Sequence, residues 1–225
     1  MICDIEAVAF DIDGTLYPDW RLFIRIAPYF FKNLSFFLTF KKVRYLLHRT
    51  APLPDFFEYQ ARLLAAYMEI SPEQAHELIR EKIYDGLVRF FPHVKPFKHM
   101  RSTLQSFKEA GLKLAVLSDF PPEQKGDMWG CKPFFDCILG SEECGALKPS
   151  AYPFGILRQS LNVSAERILY VGNSIRSDIQ GAHNAGMKTA YLIPFWRRIL
   201  HKKPREADIC FKNYRQLCKI VLQLK

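Results

Sequence analysis

The sequence predicts an α/β fold: a parallel sheet covered by helices, with one helical insertion after the first strand. Three observations carry this expectation. Residues 5–10, 112–117 and 168–171 are short, almost wholly apolar runs, the pattern of strands buried on both faces. Each run ends at polar or glycine residues (Asp11, Ser118, Gly172-Asn173) before a helix-like segment begins. Between residues 17 and 95 the alternation stops. That stretch reads as helical throughout, with Pro28, Pro52, Pro54, Pro72 and Pro92 at turns or helix starts.

The remaining elements follow in order. Ser71-Pro72-Glu73-Gln74 is a helix start: an N-cap, a first-turn proline, and a glutamine three residues after the cap. Helices are expected over residues 97–110, stopped by Gly111, over 150–161, over 175–185, closed by Gly186, and over 214–224. Further strands are expected over 136–139, 188–193 and 208–211. The core is then residues 1–16 and 96–225, and the helical insertion is residues 17–95. Open α/β sheets bind ligands just beyond the carboxyl ends of their strands. Polar residues at that point on three strands are what a shared site requires.

Composition narrows the classes. The chain has 225 residues, 49% hydrophobic and 14% aromatic, which buries enough surface to exclude intrinsic disorder. Its 11 Gly and 14 Pro follow no period, excluding collagen-like and low-complexity chains. The most apolar window, residues 22–40, is broken by Arg25, Pro28, Lys32 and Asn33, so no membrane span is expected. Asp4 and Glu6 stand where a signal peptide needs a basic flank, so a cytosolic chain is expected. The six cysteines lack the pairwise spacing of a zinc site and read as reduced, mostly buried thiols.

The net charge of +9 is uneven. Residues 21–50 and 195–225 each carry +7, which leaves the rest of the chain net acidic. Arg21, Arg25 and Lys32 fall on one helical face, with Phe23, Ile26 and Phe30 towards the other. The pattern suits a helix with its apolar side packed on the core. It also suits peripheral contact with an acidic membrane, the less favoured choice. Pro28 is expected to kink or interrupt this helix. No motif accompanies the charge that would point to nucleic acid. His48, His76, His93, His99, His183 and His201 show no metal spacing, and Trp20, Trp129 and Trp196 read as packing residues.

The chemistry concentrates at Asp11-Ile12-Asp13-Gly14-Thr15. Two carboxylates on a turning backbone can converge and spread their proton affinities, one ionised and one protonated. A divalent cation relieves their repulsion, and hard oxygen ligands suit Mg²⁺. An acidic turn that merely caps a helix is the alternative at this point. Ser118 can donate to a phosphoryl oxygen, and Lys148 of Ala146-Leu147-Lys148-Pro149 can balance an anion. Val171-Gly172-Asn173-Ser174-Ile175-Arg176-Ser177-Asp178 sets Asn173 and Asp178 around a strand-to-helix turn.

In that order, these motifs resemble the haloacid dehalogenase-like hydrolase superfamily, whose members are mostly phosphatases. The resemblance covers nearly the whole chain. Gly140-Ser141-Glu142-Glu143 before the lysine and Gly181-Ala182-His183-Asn184-Ala185-Gly186 after the last motif are similar too. It implies a Rossmann-like core whose insertion is a helical cap of the family's first type. It also implies roles. Asp11 attacks phosphorus to form an aspartyl phosphate, and Asp13 is general acid and then base. Ser118 and the backbone N–H of Asp119 hold phosphoryl oxygens, and Lys148 neutralises them. Mg²⁺ is held by Asp11, the backbone carbonyl of Asp13, and the last motif with Asn173 and Asp178.

Two residues depart from the family pattern. Asn173 stands where most family phosphatases carry Asp, which predicts weaker metal binding. Asp119 stands where Asn is common and would repel substrate unless it turns away or pairs with a cation. The dehalogenase branch also carries Asn in the last motif and uses no metal, but it lacks an acid equivalent to Asp13. The expectation is therefore a Mg²⁺-dependent phosphatase acting on a small phosphorylated substrate. The rivals are a metal-independent dehalogenase and a catalytically weakened binding protein using its basic aromatic cap.

Overall fold

In the computed structural model, residues 4–194 and 207–224 are described. Cys3, Trp196, His201 and residues 195–206 of the C-terminal basic segment lie outside them. Six strands form one parallel sheet: β1 (Ala7–Phe10), β2 (Lys113–Ser118), β3 (Cys137–Gly140), β4 (Ile168–Gly172), β5 (Lys188–Leu192) and β6 (Ile209–Phe211). Their order is β3-β2-β1-β4-β5-β6. The chain leaves β1 for β2 on one side and returns to β4 on the other. The carboxyl ends of β1 and β4 therefore flank a topological switch point, where such sheets open a crevice.

The strands are apolar on both faces because both faces are covered. Period-two alternation sends Val8 and Phe10 to one side and Ala7 and Ala9 to the other. On the first side lie α5 (Met100–Glu109) and α8 (Tyr214–Leu224), which contribute Leu104, Phe107, Leu217 and Val221. On the second side α6 (Ala151–Leu161) fills the space over the small alanines with Phe154, Leu157 and Leu161.

Helices α1 (Asp19–Lys32), α2 (Leu34–Leu47), α3 (Phe56–Met68) and α4 (Pro72–Ile79) lie between β1 and β2. Phe36, Phe40, Val43 and Leu47 recur along α2 at helical spacing and bury in a separate cluster with Phe56, Leu64 and Ile79. The expected start of α4 is a full capping box. Gln74 N–H donates to Ser71 Oγ at 3.2 Å, and Ser71 N–H donates to the Gln74 side chain at 3.0 Å. Among the described residues no helix is long and apolar enough to cross a membrane.

Several expectations need correction. Helix α1 runs unbroken through Pro28, whose missing N–H falls opposite Ile24 on an exposed face where water can replace it. None of its residues is fully buried: Leu22 packs against the main core and Phe30 against Phe37 of α2, while Phe23 stays exposed, so its apolar side is packed only in part. The helix expected from residue 97 starts at Met100, because His99 adopts φ +66° and breaks the helical path. The helix expected over 175–185 is split into a π-helical turn (Ile175–Gln180) and α7 (Gly181–Asn184). Trp20 is exposed rather than packed. Of the described cysteines only Cys131 is fully buried.

Candidate active site

Asp11 leaves the end of β1, and its N–H donates to the Val171 carbonyl at 3.0 Å, which locks it beside β4. Lys148 is 1% exposed and reaches this point from the loop before α6. Its Nζ donates to Asp11 Oδ1 at 2.8 Å, to Asp178 Oδ1 at 2.7 Å and to the Tyr170 hydroxyl at 3.1 Å. A buried ammonium is tolerated only when its donors are satisfied in this way. Burial disfavours its charge, but Asp11 and Asp178 outweigh burial and raise its pKa well above the usual lysine range. Asp11 is also raised: burial dominates, the lysine opposes, and Asp178 and Asp13 add repulsion.

Asp178 is held on its other side. Its Oδ2 accepts from the N–H groups of Asn173 at 3.1 Å and Ser174 at 2.9 Å. The π-turn explains the placement. Ser174 O accepts from both Asp178 N–H and Ile179 N–H at 3.1 Å, and the widened turn swings Asp178 inward. Gly172 is required there, because a Cβ would collide with the Asp178 side chain.

Asp13 is partly exposed at the cavity floor. The Tyr17 hydroxyl donates to its Oδ1, and Lys125 Nζ lies 3.4 Å from its Oδ2. Burial and the Asp13 charge raise the Tyr17 pKa, so its phenol stays a neutral donor. Gly14, at φ +80°, lets the chain pass so close to Asn173 and Asp19 that any Cβ would strike both side chains. The Thr15 hydroxyl bridges Asp11 Oδ2 at 3.0 Å and Asn173 Oδ1 at 3.3 Å.

On β2, Ser118 is fully buried and its Oγ lacks a hydrogen-bond partner. An orphan hydroxyl in a polar site is a donor waiting for an acceptor. Asp119 turns aside: its Oδ1 accepts from Ser141 Oγ at 2.6 Å and from Lys148 N–H at 3.0 Å. Burial would raise its pKa, but Lys148, His48, Arg44 and Ser141 together hold it below the usual carboxylate range. The repulsion expected of this residue is therefore met by neighbours that stabilise its charge.

Asp11, Asp13, Asp119, Lys148, Asn173 and Asp178 line one cavity at this end of the sheet, and Ser118 ends the adjacent strand β2. Sequence reasoning missed Asp19, Tyr17, Lys125, Arg44 and His48. Asn173 Nδ2 donates to Asp19 Oδ2 at 3.4 Å. Burial, then repulsion from Asp13, pushes Asp19 up to about 6. His48, read as unremarkable, places Nδ1 2.6 Å from the Lys148 carbonyl and 4.0 Å from Asp119. Buried Arg44 pairs with Glu142 and donates to the Asp119 carbonyl at 3.3 Å, joining α2 to the core. Only Asp19, just past the first motif and beside Pro18 at a helix start, left a usable signal.

Among the described residues, no three His, Cys, Asp or Glu side chains are grouped to hold a metal ion. The oxygens present still fit a hard cation. Asp11 Oδ2 and Asn173 Oδ1 flank the Thr15 hydroxyl, all of them oxygen donors of the kind a hard cation takes. Asp11, Asp13, Asp19, Asp119 and Asp178 line the cavity beside Lys41, Arg44, Lys125 and Lys148, so acids exceed bases by one.

Residues 8–192 match the model of haloacid dehalogenase-like hydrolases. A glyceraldehyde 3-phosphate phosphatase of Methanopyrus kandleri is 31% identical over 198 residues, 82% of each chain. The pyrophosphatase PpaX of Halalkalibacterium halodurans is 27% identical over 195 residues, 83% of each chain. Among solved structures, a HAD phosphatase from Thermococcus onnurineus superposes with a TM-score of 0.65 at 20% identity, covering 96% of this chain and 98% of that one. A 2-haloacid dehalogenase from Pseudomonas syringae pv. Tomato also scores 0.65 at 20% identity, covering 98% and 100%. The fold is thus shared by both chemistries. With the family model spanning most of its length, the chain belongs to the haloacid dehalogenase-like hydrolases.

Proposed function

We propose that this protein is a Mg²⁺-dependent phosphatase that hydrolyses a phosphomonoester through an aspartyl-phosphate intermediate. The observation that carries this reading is the Lys148 ammonium set between Asp11 and Asp178, with the orphan Ser118 hydroxyl on the adjacent strand. That is a nucleophile, a cation and a phosphoryl-oxygen donor at one crevice. Asp13 favours phosphoryl transfer over halide displacement, because an alkoxide leaving group needs a proton and a halide does not. The phosphatase names of the relatives support the same choice.

In the first step an Asp11 oxygen bonds to phosphorus while the phosphorus–oxygen ester bond breaks, and Asp13 gives its proton to the departing oxygen. Water then attacks the acyl phosphate, Asp13 takes its proton, and the Asp11–phosphorus bond breaks to release phosphate. Ser118 and the Asp119 N–H hold phosphoryl oxygens, and Lys148 offsets their charge. Asp178 keeps the lysine in place. Asp11, the Asp13 carbonyl and Asn173 would hold Mg²⁺, with Asp178 acting through water. The ion supplies charge neutralisation at the transferring group. Residues 17–95 are the cap over a core of residues 1–16 and 96–225, and Arg44 ties the two together through Glu142 and the Asp119 carbonyl.

The test is phosphate release from a panel of phosphomonoesters with and without Mg²⁺, beside halide release from 2-haloacids. Metal-dependent phosphate release, lost in Asp11→Asn, supports the reading. Metal-independent halide release, or no turnover of any ester, overturns it.

A further inference from the structure

The phosphoryl site lies at one end of a cavity of about 690 Å³, the size that encloses a drug-sized ligand. Leu22, Phe23, Ile26 and Phe30 of α1, Phe37 of α2 and Phe120 of the β2 loop form its wall. Phe23, Ile26 and Phe30 recur at three- and four-residue spacing, so one apolar stripe of α1 faces this space. The stripe belongs to no hydrophobic core. No residue of α1 is buried, and Phe23 is 61% exposed. The helix is nonetheless placed firmly, because Arg21 on its basic side donates to the carbonyls of Lys95 and Pro96 at 2.8 and 3.1 Å. Asp13, the group proposed to protonate the leaving oxygen, also lines the cavity. The leaving group therefore extends from the phosphoryl site towards this wall.

Polar side chains line this cavity too, among them Lys41 of α2 and Lys125, but the two nearest the Phe120 side of the wall are engaged within the protein. Gln124 Nε2 is spent on the carbonyls of Ile83 and Tyr84 at 2.8 and 3.0 Å. Arg44 is spent on Glu142 and Gln60, with its guanidinium 4.4 Å from the centre of the Phe120 ring. A substrate hydroxyl laid against the α1 stripe itself finds no polar side chain of that stripe to replace its water. A methylene brought here would gain roughly three- to fourfold.

We propose that the substrate is a phosphomonoester with a bulky apolar leaving group, an alkyl or aryl chain seated on the α1 stripe, rather than a small polar sugar or acid phosphate. This rests on the phosphatase reading and narrows it to one substrate class. Continuity of the apolar wall with the catalytic carboxylates selects this occupant over a second protein copy or a lipid surface.

The experiment uses the full chain with Mg²⁺ and measures kcat/KM along n-alkyl phosphates from ethyl to octyl, beside 2-phosphoglycolate. Binding of the matching alkylphosphonates, which cannot be hydrolysed, is followed by calorimetry. Both series are expected to rise roughly three- to fourfold per methylene, and 2-phosphoglycolate is expected to fall below the longer esters. Ile26→Asn should flatten both slopes, reducing the octyl-to-ethyl ratio by roughly tenfold. A flat series, or preference for 2-phosphoglycolate, overturns the inference while leaving a phosphatase. A rising phosphonate series with no ester turned over overturns the phosphatase reading and, with it, the assigned substrate class. Self-association or vesicle binding that abolishes the slope gives the stripe to another copy or to lipid and also overturns the inference.

Discussion

The floor and the wall of the cavity are built on opposite rules. At the floor, charged groups are held by named partners: Lys148 by three acceptors, Asp178 by an ammonium and two amides, Asp119 by a hydroxyl and an amide. At the wall, α1 fully buries none of its apolar side chains: Leu22 and Phe30 rest on neighbours, and Phe23 stays exposed. Rigid, paired charges suit one invariant group, the phosphoryl, whereas a loosely covered apolar surface suits a variable one. On the proposed function, reaction and selectivity are separated along one cavity, with Asp13 at the boundary.

The sharpest way to break this contrast is Asp11→Asn. It should lower phosphate release by about 10⁴-fold or more for every ester, independent of chain length, because it removes the nucleophile. A loss that varied with the alcohol would tie the floor to selectivity. Next comes Lys148→Met, which leaves Asp11 and Asp178 buried without their cation. Urea unfolding should show about 3–5 kcal/mol lost, as for other buried pairs broken on one side. A stable variant would mean that the floor is less preorganised than its geometry implies.

At the wall, Ile26→Asn should change stability by less than about 1 kcal/mol, since the side chain has no core to leave. Its effect belongs to the ratio between long and short esters. The smallest expected effect is on pH dependence and involves His48. Burial lowers its pKa below the ordinary 6.5, against the nearby Asp119 charge. The unfolded chain therefore binds this proton first as pH falls. The contribution of His48 is complete above about 6.5 and declines as pH drops towards the depressed folded value. Unfolding midpoints measured across that window should show the slope in the native protein and a shallower one in His48→Gln. Equal slopes would remove His48 from the account.

Much of the floor was legible because its residues end strands. Asp11, Ser118 and Asn173 each follow an apolar run, and parallel pairing with β1 brings those ends together. The first-strand pair was readable from its spacing alone. Tyr17, Lys125 and Arg44 were not, since they reach the site from a helix start, a short turn and the inserted α2, whose approach no local pattern encodes. Asp119 was visible, and so were the two ways its charge could be met, by turning away or by a cation, but not the partners that would meet it. Its neighbours Ser141 and His48 lie 22 and 71 residues away in the chain, and only folding sets them against it.

Helix α1 marks the division most plainly. Its sequence determined that one side would be basic and the other apolar, because side chains three and four apart must share a helical face. The chain's sequence also determined the strands and the helical stretch after the first of them, since periodicity and turn chemistry act over a few residues. Only the tertiary structure decided what the apolar side would meet. Arg21, the Arg44–Glu142 pair and the α2 cluster dock the insertion so that the stripe of α1 faces a cavity instead of a core. That outcome depends on contacts between distant segments, and no local rule of hydrophobic spacing contains them.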